Sequence, residues 1–314
     1  MKKIIIGIHG LSNKPEKQLH SNTWIDSINE GLTNIKVPVP EYDFYLVYWS
    51  DLLYKYPQHN DPIFYFDKLY DKEPYVKAEP GSLKEYQDSW IDNLKSQVSD
   101  TADSLLDTFA NEYIVENFID GILKDKLQDL AFYYNNKQLI TDRQGKKRPV
   151  KDVLRSELLD ELSKHKDRQI MLISHSMGTI IAYDALRLAG KNADAPSIEH
   201  FVTMGAPLGI PHVKMKIAQE NSRFPGKPDM EQVRTPSIVK KSWVNFSDKR
   251  DKISLDTHIS DDYQQNLLGV KVKDDLIWND YVSPITKKAN PHKIFGYLRS
   301  PEVAKHINIF LQEN

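Results

Sequence analysis

Ile170-Met171-Leu172-Ile173-Ser174-His175-Ser176-Met177-Gly178-Thr179 is a short apolar run that ends in small polar residues and passes directly into a helical pattern. A strand, a tight turn bearing a serine, and a helix make the context that a nucleophile elbow requires. The usual pattern is G-x-S-x-G; here Ser174 replaces the first glycine, while Gly178 is kept. Small residues two before and two after the serine let strand and helix approach closely at a strained turn. Such a turn lifts the Ser176 hydroxyl above the sheet edge. It also aims the helix N-terminus at that hydroxyl, which favours developing negative charge. Taken alone, the same residues also fit a plain strand-to-helix turn with a capping serine. Ser174 reads as packing, and His175 is too near in sequence to serve as the base for Ser176.

Similar runs occur on both sides of this stretch. Ile4 to Ile8, Phe44 to Trp49, His200 to Met204 and Ser242 to Phe246 are rich in β-branched and aromatic residues and end in turn residues. Leu276 to Val282 is a less regular sixth candidate. Amphipathic patterns separate them: Trp24, Ile25, Ile28 and Leu32; Val153, Leu154, Leu158, Leu159 and Leu162; and Thr179 to Leu188. Strands alternating with helices predict a mostly parallel sheet covered on both faces, with ligands at the carboxyl ends of the strands.

Residues 54–150 interrupt the alternation within what otherwise reads as one domain spanning 1–314. The first part carries Pro57, Pro62, Pro74 and Pro80 and several aromatic residues, and reads as irregular. After Gly81, the residues Ile91, Leu94, Val98, Leu105, Phe109 and Tyr113 recur at helical spacing. Phe118, Ile122 and Leu127 continue the stripe. The segment reads as a helical cap that buries its stripe on the main domain; a lid that opens at a lipid surface is the alternative. Gly145 and Lys146-Lys147-Arg148 read as an exposed turn.

The polar residues at strand ends supply the remaining chemistry. His9-Gly10-Leu11 ends the first strand, and Gly10 lets that loop come near the serine. An oxyanion hole needs two backbone N–H groups, expected from Leu11 and from Met177, the residue after the nucleophile. The segment from Trp243 to Ile253 is a strand followed by a loop with Asp248 and Asp251. Asp251 is the favoured acid for orienting a histidine, and Asp248, nearer the strand end, competes with it. The base should follow the acid in the chain, since folds with such an elbow order their triad serine, acid, histidine. Of the ten histidines, His258, His292 and His306 meet that order. His306 falls in a helical pattern and His258 lies close behind the acid loop. His292 sits in a loop after the last strand and before the closing helices, where the base belongs.

Composition narrows the alternatives. The chain of 314 residues is 40% hydrophobic and 27% charged with a formal net charge of −2, so no global field draws nucleic acid. With no cysteine, thiolate catalysis, thiolate metal sites and disulfides are excluded, and a cytoplasmic location is expected. The apolar run Ile4-Ile5-Ile6 after Met1-Lys2-Lys3 is too short for a signal peptide and leads into Gly7-Ile8-His9-Gly10 without a small-residue cleavage site, and no apolar run reaches the length of a membrane span. No G-x-G-x-x-G, P-loop or H-E-x-x-H pattern occurs.

These residues resemble the α/β-hydrolase superfamily, in its lipase and esterase branch, and more narrowly a group of largely uncharacterised bacterial α/β-hydrolases. The matching stretches are His9 to Pro15, Tyr48-Trp49-Ser50-Asp51, the elbow, Met204 to Gly209, Trp243 to Ile253 and Pro291 to Pro301. They span nearly the whole chain outside the insertion. The resemblance implies an acyl-enzyme mechanism at Ser176 with Asp251 and His292, and neither cofactor nor metal. It implies a small-molecule or lipid ester as substrate, compatible with transient membrane contact, and leaves the oligomeric state open. Two alternatives stay in view: acyl transfer to an alcohol with the same triad, and an inactive binding protein of the same fold.

Overall fold

The computed structural model describes residues 2–87, 132–135, 137–254 and 256–313. The helical stripe read from Ile91 to Leu127 lies outside the described residues. The chain opens with β1 (Lys3–Ile8), α1 (Lys17–Asn34) and β2 (Asp43–Val47). A small hairpin, β3 (Leu139–Thr141) and β4 (Lys147–Pro149), leads into α2 (Val150–Lys164). Then come β5 (Gln169–His175), α3 (Met177–Ala189), β6 (Ile198–Met204), α4 (Pro211–Glu220) and β7 (Val239–Ser247). The chain closes with β8 (Val272–Leu276), α5 (Ile294–Leu298) and α6 (Pro301–Gln312).

Six strands form one sheet in the order β2-β1-β5-β6-β7-β8, and every neighbouring pair is parallel. Period-two alternation divides each strand between two cores. Ile4, Ile6 and Ile8 of β1 and Ile170 and Leu172 of β5 face α2, α3 and α4, where Leu154, Leu158, Ile180, Val213 and Ile217 meet them. Ile5, Met171, Ile173, Val244 and Phe246 face the other way, onto Trp24, Ile28 and Leu32 of α1 and Leu298, Ile307 and Phe310 of α5 and α6. Each such side chain contributes about 1.5–3 kcal/mol by leaving water. With both faces covered, this is the α/β-hydrolase arrangement expected from the sequence.

The strand order positions the site. From β1 the chain crosses to the edge at β2; from β5 it proceeds in the opposite direction, to β6. Neighbouring strands whose connections part in this way leave a crevice beyond their carboxyl ends. His9-Gly10-Leu11 follows β1 there, and Ser176 follows β5. The close approach of β1 and α3 depends on Gly178, where a Cβ would fall 2.6 Å from the His9 carbonyl oxygen and 2.7 Å from that of Ile8.

The sixth strand lies earlier than Leu276 to Val282. β8 is Val272-Lys273-Asp274-Asp275-Leu276, a sheet edge with charged side chains, and only Leu276 is common to both ranges. The apolar residues that follow are buried in irregular chain: Ile277 and Tyr281 pack into the second core. Within 54–87 the described chain is irregular apart from one 3-10 turn at Pro62–Phe64, with single bridges such as His59 to Tyr70. Ile63, Phe64, Tyr65 and Phe66 are exposed there, while Tyr281 Oη and Ser283 Oγ donate to the carbonyls of Pro74 and Lys72. Residues 139–149 form the hairpin, with Gly145 in its turn and Lys147 and Arg148 on its second strand.

Replacing Gly178 by alanine sets two effects against each other. Helix propensity favours alanine by about 1 kcal/mol. Forcing a methyl against two fixed carbonyls costs about 1–3 kcal/mol. Because those neighbours are backbone, Gly178→Ala is expected to lower the urea midpoint; an unchanged or raised midpoint contradicts this packing.

Candidate active site

Ser176 is a non-glycine residue at φ 54° and ψ −130°, a conformation that costs about 1–3 kcal/mol. Its surroundings hold it there. Its N–H donates to the Met204 carbonyl on β6 at 3.0 Å, and its own carbonyl accepts from Thr179, through N–H at 2.9 Å and hydroxyl at 2.7 Å. Ser174, which replaces the usual glycine, is fully buried and donates its hydroxyl to the Val202 carbonyl at 2.9 Å. The extra side chain is thus spent on pinning β5 to β6 beside the turn.

Ser176 and His292, separated by 116 positions, meet at the crevice: the Ser176 hydroxyl donates to His292 Nε2 at 2.9 Å. His292 Nδ1–H donates to Asp251 Oδ2 at 2.8 Å. The two hydrogen bonds fix the imidazole as its Nδ1–H tautomer. Gly205 borders this pair, since a Cβ there would lie 2.9 Å from Asp251 Oδ2 and 3.0 Å from His292 Nδ1.

Asp251 is fully enclosed and saturated with donors. Oδ2 also accepts from the Tyr297 hydroxyl at 2.8 Å and the Ser254 hydroxyl at 3.1 Å, and Oδ1 accepts the Ile253 N–H at 2.9 Å. Burial alone would raise its pKa. The attraction of His292 and these hydrogen bonds outweigh burial and hold the carboxyl below its usual range. Tyr297, buried beside Asp251 and Asp248, has its phenol pushed well up by burial and by those charges, so it stays a donor. Asp248 has other partners: both oxygens face Arg250, at 3.0 and 2.6 Å, and Oδ2 accepts the Asn279 N–H at 2.7 Å. His258 is on the surface against Thr257, and His306 is in α6 against His200.

His9, Gly10 and Leu11 approach from the β1 side. A Cβ on Gly10 would fall 2.7 Å from that of Ser176. His9 stacks on Trp49 with ring centroids 4.6 Å apart. Its Nε2 accepts the Trp49 N–H at 3.2 Å, so Nδ1 carries the proton and donates to the Gly10 carbonyl at 2.7 Å. Burial, with a smaller push from Lys14, lowers the His9 pKa to about 3 and keeps the ring neutral. In a trans peptide the N–H points opposite to the carbonyl. Tying the Gly10 carbonyl to His9 therefore turns the Leu11 N–H the other way. Met177 begins α3, where N–H groups have no carbonyl one turn back.

The sequence did not single out Tyr297, Asn279 or the contact of His175 with the His292 loop. A polar Asn279-Asp280 pair inside an apolar run was the available signal. Of the aromatic residues in the insertion, Tyr56, Phe64, Tyr65 and Phe66 are exposed, Tyr54 is half-buried and Trp90 lies outside the described residues. Among the described residues no cluster could hold a metal ion, and no helix is long and apolar enough to cross a membrane.

An α/β-hydrolase architecture with a serine, a histidine and an aspartate hydrogen-bonded in series at its strand ends defines the class. A model of the lecithin:cholesterol acyltransferase family matches residues 154–220, the stretch from α2 through the elbow to α4. No curated protein matches the chain significantly.

The histidines predict an acid response. Burial first, then neighbouring charge, holds His9 at about 3, His306 at about 4 and His20 well below its usual value. The folded chain refuses protons that the unfolded chain accepts below about 6.5. These groups therefore stabilise the fold fully above about pH 6.5 and progressively less as pH falls towards their folded values. Urea unfolding should give a lower free energy at pH 5 than at pH 7.5; equal values contradict neutral burial.

Proposed function

We propose that this protein is a serine hydrolase that cleaves carboxylic esters, of esterase or lipase type, through a Ser176-His292-Asp251 triad. The carrying observation is the pair of hydrogen bonds, 2.9 and 2.8 Å, linking a strained elbow serine to a buried carboxylate through one imidazole. The motif resemblance to bacterial α/β-hydrolases and the family match across the elbow agree with it.

In this mechanism His292 Nε2 takes the hydroxyl proton as Ser176 Oγ attacks the ester carbonyl. Asp251 stabilises the resulting imidazolium and keeps its orientation. The N–H groups of Leu11 and Met177 receive the oxyanion; each such donor is worth roughly 3 to 4 kcal/mol at the transition state. His292 then returns the proton to the leaving alcohol. Water, activated by the same imidazole, attacks the acyl-Ser176 ester, which releases the acid and restores the hydroxyl. The substrate in this reading is a small-molecule or lipid ester, and no cofactor or metal takes part.

Ser176→Ala should abolish turnover of p-nitrophenyl esters and labelling by a fluorophosphonate, with the melting temperature retained. Full activity in that variant sinks the assignment. A chain-length series of the same esters separates the two types, since activity confined to short chains excludes the lipase reading.

The acid is tested separately. Asp251→Asn should lower kcat on the order of 10⁴-fold, because the imidazole loses its orienting partner. Asp248→Asn should cost far less, since Asp248 does not touch His292. A reversed order of effects would assign the acid to position 248.

A second reading has its own support. The matching family is named for acyl transfer to an alcohol, and the same acyl-Ser176 ester would serve. Product analysis with an alcohol competing against water distinguishes transfer from hydrolysis.

A further inference from the structure

His292 is carried on a loop between β8 and α5, and regular backbone pairing does not fix it. Side chains do. Asn279 is 1% exposed, and every polar group it has is engaged. Its Nδ2 donates to the carbonyls of Pro291 and Lys293, both at 2.8 Å. Its Oδ1 accepts the Tyr281 N–H at 3.1 Å. Its own N–H donates to Asp248 Oδ2 at 2.7 Å, and its carbonyl accepts from Arg250 Nη2 at 2.8 Å. His175 Nε2–H donates to the intervening His292 carbonyl at 2.8 Å. Three consecutive carbonyls, 291 to 293, are thus each held by a side chain. The His292 N–H is held too, by Asn290 Oδ1 at 3.0 Å. Space for the Asn279 amide requires Gly296, where a Cβ would fall 1.8 Å from Oδ1.

We propose that Asn279 is a positioning residue: by gripping the peptide groups on both sides of His292 it fixes the imidazole between Ser176 and Asp251. Asp248 and Arg250 hold Asn279 in turn, and Arg250 is itself stacked on the Trp278 ring at 3.4 Å. This gives the aspartate next to the acid loop a role two links from the chemistry. The inference rests on the reading of Ser176, His292 and Asp251 as the catalytic centre.

The amide is suited to this task because its two N–H groups diverge, one for each flanking carbonyl. Alanine at 279 leaves both carbonyls without these donors, and the loop is held only by His175 and Asn290. A displacement near 1 Å costs on the order of 10²-fold in rate.

The test compares Asn279→Ala with wild type in the full chain. Expected are a fall in kcat on the order of 10²-fold with KM little changed. A matching fall in the fluorophosphonate labelling rate and a nearly native melting temperature should accompany it. The far-downfield proton signal of the His292–Asp251 hydrogen bond should broaden or vanish. Gly296→Ala, which drives a methyl into the amide, should reproduce these losses, and the double variant should be no worse than Asn279→Ala alone. Asn279→Ser serves if alanine does not fold, with an intermediate expectation. Native kcat and an intact proton signal overturn the proposal. So does a set of variants in which activity is lost only in step with the melting temperature, because Asn279 is then a general fold element. The proton signal needs no turnover. A wild type that fails to label at Ser176 would sink the hydrolase reading and still leave Asn279 to be judged by that signal.

Discussion

A single residue in an unfavourable backbone conformation organises this molecule. Ser176 sits at φ 54°, where a side chain raises the energy and where only surrounding structure can keep it. The surroundings are specific: a β6 carbonyl for its N–H, Thr179 on its carbonyl, and α3 pressed against the end of β1 at Gly178. Local strain of a few kcal/mol is set against two hydrophobic layers that each bury many side chains, and the layers prevail. The hydroxyl is thereby left at the carboxyl edge of the sheet, facing an imidazole from a distant part of the chain.

The histidines share one principle and perform different tasks. His9 is neutral because it is buried, and its protonated nitrogen is committed to a carbonyl of the loop beside Ser176. His175 is committed to the carbonyl of His292. His292 has one ring nitrogen on the buried Asp251 carboxylate and the other on the strained Ser176 hydroxyl, whereas His200, near the amino end of β6, lies between the Ser242 hydroxyl and the Glu313 carboxylate. Chemistry is assigned by partners, not by residue type. The same holds for the aspartates: Asp251 faces the imidazole, while Asp248 faces a guanidinium and a backbone N–H.

Much of the architecture was legible in the sequence because buried parallel strands advertise themselves. Ile4 to Ile8 and Ile170 to Ile173 are continuous apolar runs, and each lies within an observed strand. The edge strand was misread for the converse reason. Lys273, Asp274 and Asp275 are what an edge tolerates, and the apolar residues after Leu276 belong to a buried loop. Ser176, Asp251 and His292 could be proposed from chain order and strand ends, and the structure brings those three together. Tyr297 was not legible, since its partner Asp251 is 46 positions away, and Asn279 was marked only by being polar within an apolar run, which does not say that its amide grips the carbonyls of Pro291 and Lys293. Side-chain grips on irregular backbone leave no period to read.

The rim of the sheet has a bearing on how this protein meets other molecules. Among the described residues β8 is an end strand of the sheet, and along it Lys273 is largely exposed and Asp275 partly so. A strand finished in exposed mixed charge is a poor template for an incoming backbone, because pairing would strip water from those groups. Growth of the sheet by adding a foreign strand along β8 is thereby discouraged.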